Sequence, residues 1–131
     1  MSIRCVVVTP ERTEMDRVVQ ELVLPMYDGE LGIRGGRAAM IGRLGYGQMR
    51  LHTETGVESY FIDGGFAQVE KDVVSVLTAR ALPAKSLDID AAEKELEAAL
   101  ASPASSPEQQ QLRAASIMRA RGLLRTAVRK S

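Results

Sequence analysis

The sequence predicts a β-sandwich of about ten short strands followed by an antiparallel αα-hairpin. Three observations carry that expectation. Up to about residue 80 the apolar residues fall in short, β-branched runs broken by turn residues; beyond Pro83 they recur at helical spacing; and Ser102 to Pro107 interrupts the helical pattern with two prolines and three serines. The chain therefore divides into a sandwich domain, 1–84, and a helical domain, 85–131.

The first run, IRCVVV from Ile3 to Val8, alternates so that Ile3, Cys5 and Val7 share one face. Cys5 is the only cysteine. It reads as a small core residue rather than a nucleophile, excludes an internal disulfide and suits a reducing compartment. Asp16 to Leu24 (DRVVQELVL) reads as the next strand, and Ser59–Ile62, Phe66–Glu70 and Val73–Thr78 as three more. Asp63-Gly64-Gly65 and Lys71-Asp72 each leave a hairpin-sized gap between strands, which predicts a meander.

Between Asp28 and Leu51 lie glycines 29, 32, 35, 36, 42, 45 and 47. They do not form a nucleotide loop: Gly45-Tyr46-Gly47 lacks the third glycine of a dinucleotide fingerprint, and no lysine-hydroxyl pair follows any glycine of the run. They are read instead as turn, bulge and close-approach positions.

In SLDIDAAEKELEAAL, Ile89, Ala92, Leu96 and Ala99/Leu100 form one stripe, with Asp88 and Asp90 at the start as capping carboxylates and Asp90 with Glu93 resembling a capping pair. The second helix is expected from Glu108 to Lys130, with Ile117, Leu124 and Val128 as its apolar stripe and Arg121, Arg125 and Arg129 as a basic edge beside it.

The 17 basic and 17 acidic residues cancel, but unevenly. Residues 86–101 hold 1 Lys/Arg against 5 Asp/Glu, and 102–131 hold 6 against 1. His52 is the only histidine. One histidine, one cysteine and no clustered carboxylates offer neither a metal site nor a catalytic set, so no metal and no cofactor is expected. No apolar run approaches the ~18–20 residues that span a bilayer, and the N-terminus lacks a basic segment followed by an apolar one, so the chain is expected to be neither exported nor membrane-spanning.

Several separated motifs resemble the epsilon subunit of bacterial F-type ATP synthases. Asp28-Gly29-Glu30-Leu31-Gly32-Ile33 is similar to that family's GELGI segment, Gly45 to Leu51 to its strand entry, Gly64-Gly65-Phe66 with Val69 and Val73 to Leu77 to its GGFxEV segment, and Leu87-Asp88 to the start of its C-terminal domain. The resemblance runs from residue 3 to about 100.

It implies a non-catalytic central-stalk subunit, peripheral to the cytoplasmic side of the bacterial inner membrane and reaching it only through the complex. The sandwich would pack on the gamma subunit and on the c ring, coupling proton-driven rotation to ATP synthesis in the catalytic head. Glu30, Leu31, Gly32 and Ile33 would form the c-ring contact, with Glu30 its polar anchor; the bland reading of Glu30 is a solvated turn residue. The hairpin would either fold against the sandwich or extend to impede ATP hydrolysis, its Arg121, Arg125 and Arg129 facing an acidic segment of the catalytic beta subunit. A solvated basic face is the competing reading.

Two departures stand out. Gly35-Gly36-Arg37-Ala38-Ala39 replaces the family's Pro-Gly-His-Ala-Pro, leaving a freer loop with Arg37 in it. Leu87, Asp88 and Ala92 match a partial nucleotide motif, but Ala91 occupies its arginine position, removing the cation that would meet a phosphate. A free-standing nucleotide-binding regulator is the alternative function that this substitution opposes. A nucleic-acid adaptor built on residues 113–130 is opposed by the neutral total charge and the lack of an aromatic residue there, so no nucleic-acid partner is expected.

Overall fold

Alternation along β1 (Ile3–Val8) buries Ile3, Cys5 and Val7, as its spacing predicts. The computed structural model describes residues 2–129, so Lys130, the expected last residue of the final helix, lies outside the described residues. Seven further strands follow: β2 (Thr13–Val19), β3 (Glu21–Met26), β4 (Gly29–Ile33), β5 (Met40–Thr53), β6 (Gly56–Glu70), β7 (Val73–Leu77) and β8 (Ala81–Pro83). A 3-10 turn (Ala84–Ser86) leads to α1 (Ile89–Leu100) and α2 (Pro107–Arg129).

The strand order is β2-β1-β7-β6-β5-β3-β4, with β8 beside β6. β1 and β7 run parallel, whereas β5, β6 and β7 form an antiparallel meander. The long strands β5 and β6 serve both layers of the sandwich. Met40 to Leu44 pair with Gly65 to Val69 and continue into β7 and β1; Tyr46 to Thr53 pair with Gly56 to Asp63 and continue into β3 and β8. The layers enclose one core, built from Cys5, Val7, Val74 and Val76 on one side and Leu22, Leu24, Met49 and Leu51 on the other. Burial pushes the Cys5 thiol up to about 12, which keeps it protonated and inert at neutral pH.

The two halves join at a crease where Gly45 lies opposite Gly64, the one step at which β5–β6 pairing lapses. Gly64 and Gly65 adopt φ of +67° and +103°, and a Cβ on Gly65 would stand 1.8 Å from the Leu77 carbonyl oxygen. Only a residue without a side chain fits there. Pro25, in β3, falls where the β3–β5 register shifts between Val23 and Met26, the kind of irregularity at which a residue without an N–H is tolerated.

The structure revises several expectations. Among the described residues there are eight strands rather than about ten, and Asp63-Gly64-Gly65 is not a hairpin but a bend inside the 15-residue β6. The run Asp16 to Leu24 is two strands, β2 and β3, divided at Gln20. The gap at Lys71-Asp72 is a tight turn with φ of 51° and 61°, the left-handed pair that matches strand twist.

In the hairpin, α1 is capped by Asp88, whose carboxylate accepts from the Asp90 N–H, so the Asp90–Glu93 pair is not the cap. Ser106 begins α2, its hydroxyl accepting from the Gln109 N–H at 3.1 Å ahead of Pro107 in the first turn. Burial on α1 falls on Ala92 and Ala99, while Ile89 and Leu100 are exposed. On α2 it falls on Ala120, Gly122, Leu123, Thr126 and Ala127. Val128 is exposed and Ile117 and Leu124 are only half-buried, so the expected stripe is displaced to the smaller residues next to it.

The crease makes a sharp prediction. Gly65→Ala should lose more than about 3 kcal/mol of unfolding free energy in urea, from a forced φ and a backbone collision. Gly32→Ala, where an added Cβ meets nothing within 4 Å, should change it by less than about 1 kcal/mol. Equal effects would remove the special role of the crease.

Candidate functional site

The hairpin rests on the layer carrying Phe61 and Tyr46. Phe61, Ala92, Leu123 and Ala127 are buried together, ringed by Tyr46, Leu82, Leu87 and Leu124, in a cluster separate from the sandwich core. The approach is close: a Cβ on Gly122 would lie 2.2 Å from the Tyr46 carbonyl oxygen, so α2 meets β5 backbone to backbone. Thr126, fully buried, donates its hydroxyl to the Gly122 carbonyl at 2.8 Å and is satisfied within the helix. Gln48, on the Tyr46 face of β5, is buried with its side-chain nitrogen unpartnered.

Asp63, the residue just before the crease glycines, joins the two modules electrostatically. Its side chain is 5% exposed. Arg119 of α2 donates from Nε to Oδ1 at 2.7 Å, and Arg80 donates from Nε to Oδ2 at 2.8 Å. Arg119 also lies 5.3 Å from the Tyr46 ring centroid, and Arg80 stands 3.8 Å from Glu95 of α1. Neither Asp63 nor Arg119 was singled out from the sequence. The signal was present only as an acidic residue beside a double glycine and an arginine two residues before the basic edge.

The expected ring-contact residues occupy β4, an edge strand, and they divide by face. Ile33 is fully buried and Leu31 packs against the core, leaving Glu30 and Gly32 exposed. Glu30 is not a free turn carboxylate. It accepts from Arg50 Nη1 at 2.9 Å, and this hydrogen bond holds its carboxyl below the usual range against the opposing effect of burial, with the charges of Arg50 and Arg129 adding to the lowering. Arg37 donates to the Gly32 carbonyl at 3.4 Å, and the neighbouring Gly36 N–H donates to Asp72 Oδ1 at 2.7 Å, tethering the loop between β4 and β5.

Arg121, Arg125 and Arg129 are all exposed, and Arg125 donates to the Tyr46 carbonyl at 3.4 Å. The residues of the partial nucleotide motif serve the hairpin's own structure here: Asp88 caps α1, Leu87 and Ala92 pack in the Phe61 cluster, and Ala91 faces solvent. On the other layer the outer face carries an apolar row: Phe66 and Leu77 are cross-strand partners, 56% and 50% exposed, with Ile41 nearby on β5 at 73%. Among the described residues no group of three or more His, Cys, Asp or Glu is placed to hold a metal ion, and no helix is long and apolar enough to cross a membrane.

A closed-core sandwich with a charged strand edge, an open apolar face and a docked helical hairpin is a protein that presents surfaces. Comparison with known proteins gives that class a family. Residues 2–84 match the family model described as the ATP synthase Delta/Epsilon chain, beta-sandwich domain. The chain is 63% identical over 127 residues to the ATP synthase epsilon chain of Rhodopirellula baltica, covering 97% of this chain and 99% of that one. The chain belongs to the ATP synthase epsilon chain family. The same fold recurs in a chain of the Euglena gracilis mitochondrial ATP synthase, with TM-score 0.82, 23% identity and coverage of 93% of this chain and 79% of that one. It recurs again in the central stalk/c-ring structure from Tetrahymena thermophila, with TM-score 0.77, 11% identity and 97% coverage of both chains.

The Glu30–Arg50 pair predicts a pH dependence. A carboxyl whose folded pKa is depressed stabilises the fold above its unfolded pKa, and that contribution fades as pH falls through the lowered value. In a carbon-13 NMR titration, Glu30 should therefore titrate below free glutamate in the wild type and move back toward it in Arg50→Met. Identical midpoints in the two proteins would show that the pair does not form in solution.

Proposed function

We propose that the chain is a non-catalytic central-stalk subunit of an F-type ATP synthase, coupling proton-driven rotation of the c ring to ATP synthesis in the catalytic head. The observation that carries this reading is the near full-length 63% identity to an epsilon chain, together with surfaces that suit the role. A close-packed sandwich transmits force without deforming, because its interior resists compression. The exposed row of Ile41, Phe66 and Leu77 is the surface assigned to the gamma subunit, since exposed large apolar residues grouped on one sheet face mark a docking site. The edge bearing Glu30 is assigned to the c ring, where the Glu30–Arg50 pair offers a carboxylate already held in place. On this reading the protein sits peripherally on the cytoplasmic side of the inner membrane, bound through its partners.

The hairpin supplies the regulatory half. When it is lifted from the sandwich, its exposed Arg121, Arg125 and Arg129 present a basic edge to an acidic segment of a catalytic beta subunit and impede hydrolysis. A free-standing nucleotide-binding regulator has less support, because Asp88 is engaged as a cap and Ala91 brings no cation.

The test is assembly. A tagged chain should co-purify with the gamma subunit and the c ring. Phe66→Asp with Leu77→Asp should lose the gamma subunit at least about tenfold, since charge placed in an apolar interface core is strongly unfavourable. Glu30→Arg should retain the gamma subunit and weaken the ring. Undiminished recovery of both partners in both variants would refute these surface assignments, and failure of the wild-type chain to recover either would refute the stalk role.

A further inference from the structure

We propose that Asp63 is the latch that holds the helical hairpin on the sandwich, with Arg119 as its removable partner and Arg80 as its resident one. The inference rests on the stalk reading above only for its use within the complex; the latch itself belongs to the isolated chain.

The division of roles follows from where the two arginines are anchored. Arg80 lies in the connection between β7 and β8, and the Asp63 N–H donates to its carbonyl at 3.1 Å, so it stays beside Asp63 wherever the hairpin goes. Arg119 is carried on α2, 56 residues away in sequence, and leaves with the helix. Each takes a different carboxylate oxygen. Withdrawing Arg119 therefore frees Oδ1 while Oδ2 keeps its ion pair.

Charge balance favours two stable positions. With the hairpin down, the node holds two anions, Asp63 and Glu95, and two cations, Arg80 and Arg119. With the hairpin lifted, both helices depart and the sandwich retains Asp63 with Arg80. The node is neutral in either state, so release never strands a buried charge, the event that makes breaking a desolvated pair so costly. The rest of the interface mixes small and large residues. Gly122 contributes a close backbone approach, and Ala92 and Ala127 contribute little apolar area of their own. Phe61 and Leu123, with Tyr46, Leu82, Leu87 and Leu124 around them, supply the apolar part of the contact, and the charged node supplies its directional part.

The latch is read from spin labels on the full-length chain at Val57→Cys and Leu112→Cys, both exposed positions, with buried Cys5 protected from labelling. Arg119→Met keeps the apolar stem and removes the charge. It should raise the fraction of molecules at long label separation about tenfold or more, while the cooperative melt of the sandwich is unchanged. Arg119→Lys should recover part of the wild-type distribution. Asp63→Asn combined with Arg119→Met should release no more than Arg119→Met alone, since both remove one interaction. Arg80→Met should leave the hairpin down despite losing the 3.8 Å pair with Glu95, because Asp63 then depends on Arg119 for its charge partner. A distance distribution in Arg119→Met identical to wild type would overturn the latch. Release by Arg80→Met equal to that by Arg119→Met would overturn the assignment of roles. Co-purification with the gamma subunit and ring fails or succeeds independently of these distances, so the latch and the stalk reading are separately refutable.

Discussion

Two strands of 14 and 15 residues are longer than one sandwich layer needs, and β5 and β6 can belong to both layers only by bending together. The bend requires three glycines: Gly45 opposite Gly64, and Gly65 against the Leu77 carbonyl. Much of the molecule follows from it. One half of the long ribbon aligns with β7 and β1, the other with β3 and β8, and a single core forms between them. The bend also places Asp63 at the corner, outside that core and beneath α2, where a nearly inaccessible carboxylate can meet a cation from each module.

The two apolar clusters show a division of labour. The sandwich core is built from large aliphatic residues at full burial, each contributing roughly 1.5–3 kcal/mol over exposure. The hairpin interface has Phe61 and Leu123 at its centre, half-buried Tyr46, Leu82, Leu87 and Leu124 around them, and small residues where the backbones approach, with Gly122 seated on the Tyr46 carbonyl. Small residues permit intimate contact without much transfer free energy.

What was legible in the sequence was local. Alternation identified β1, the Lys71-Asp72 pair identified a tight turn, and the Ser102–Pro107 break placed both helices within a residue or two. The errors were non-local. Asp63-Gly64-Gly65 has the chemistry of a hairpin turn, and only the approach of Leu77 from another strand makes it a bend. The buried face of α2 was misplaced because Ala120, Gly122, Thr126 and Ala127 carry little hydrophobic signal, whereas Val128 carries much and faces solvent. Arg119 was overlooked for Arg121, Arg125 and Arg129 because helical spacing reveals a basic edge, but not which arginine has a carboxylate waiting 56 residues earlier. The Glu30–Arg50 pair was hidden in the same way, its members 20 residues apart and on different strands.

The central claim is that a self-sufficient sandwich carries a hairpin that opens as a unit. Native-state hydrogen exchange on the full-length chain, followed residue by residue through low concentrations of denaturant, tests it most directly. Amides of α1 and α2 should share one opening free energy well below that of β1, β5, β6 and β7, which should exchange only through global unfolding. A single common free energy for helices and strands would contradict the account, because the hairpin would then be part of the same cooperative core.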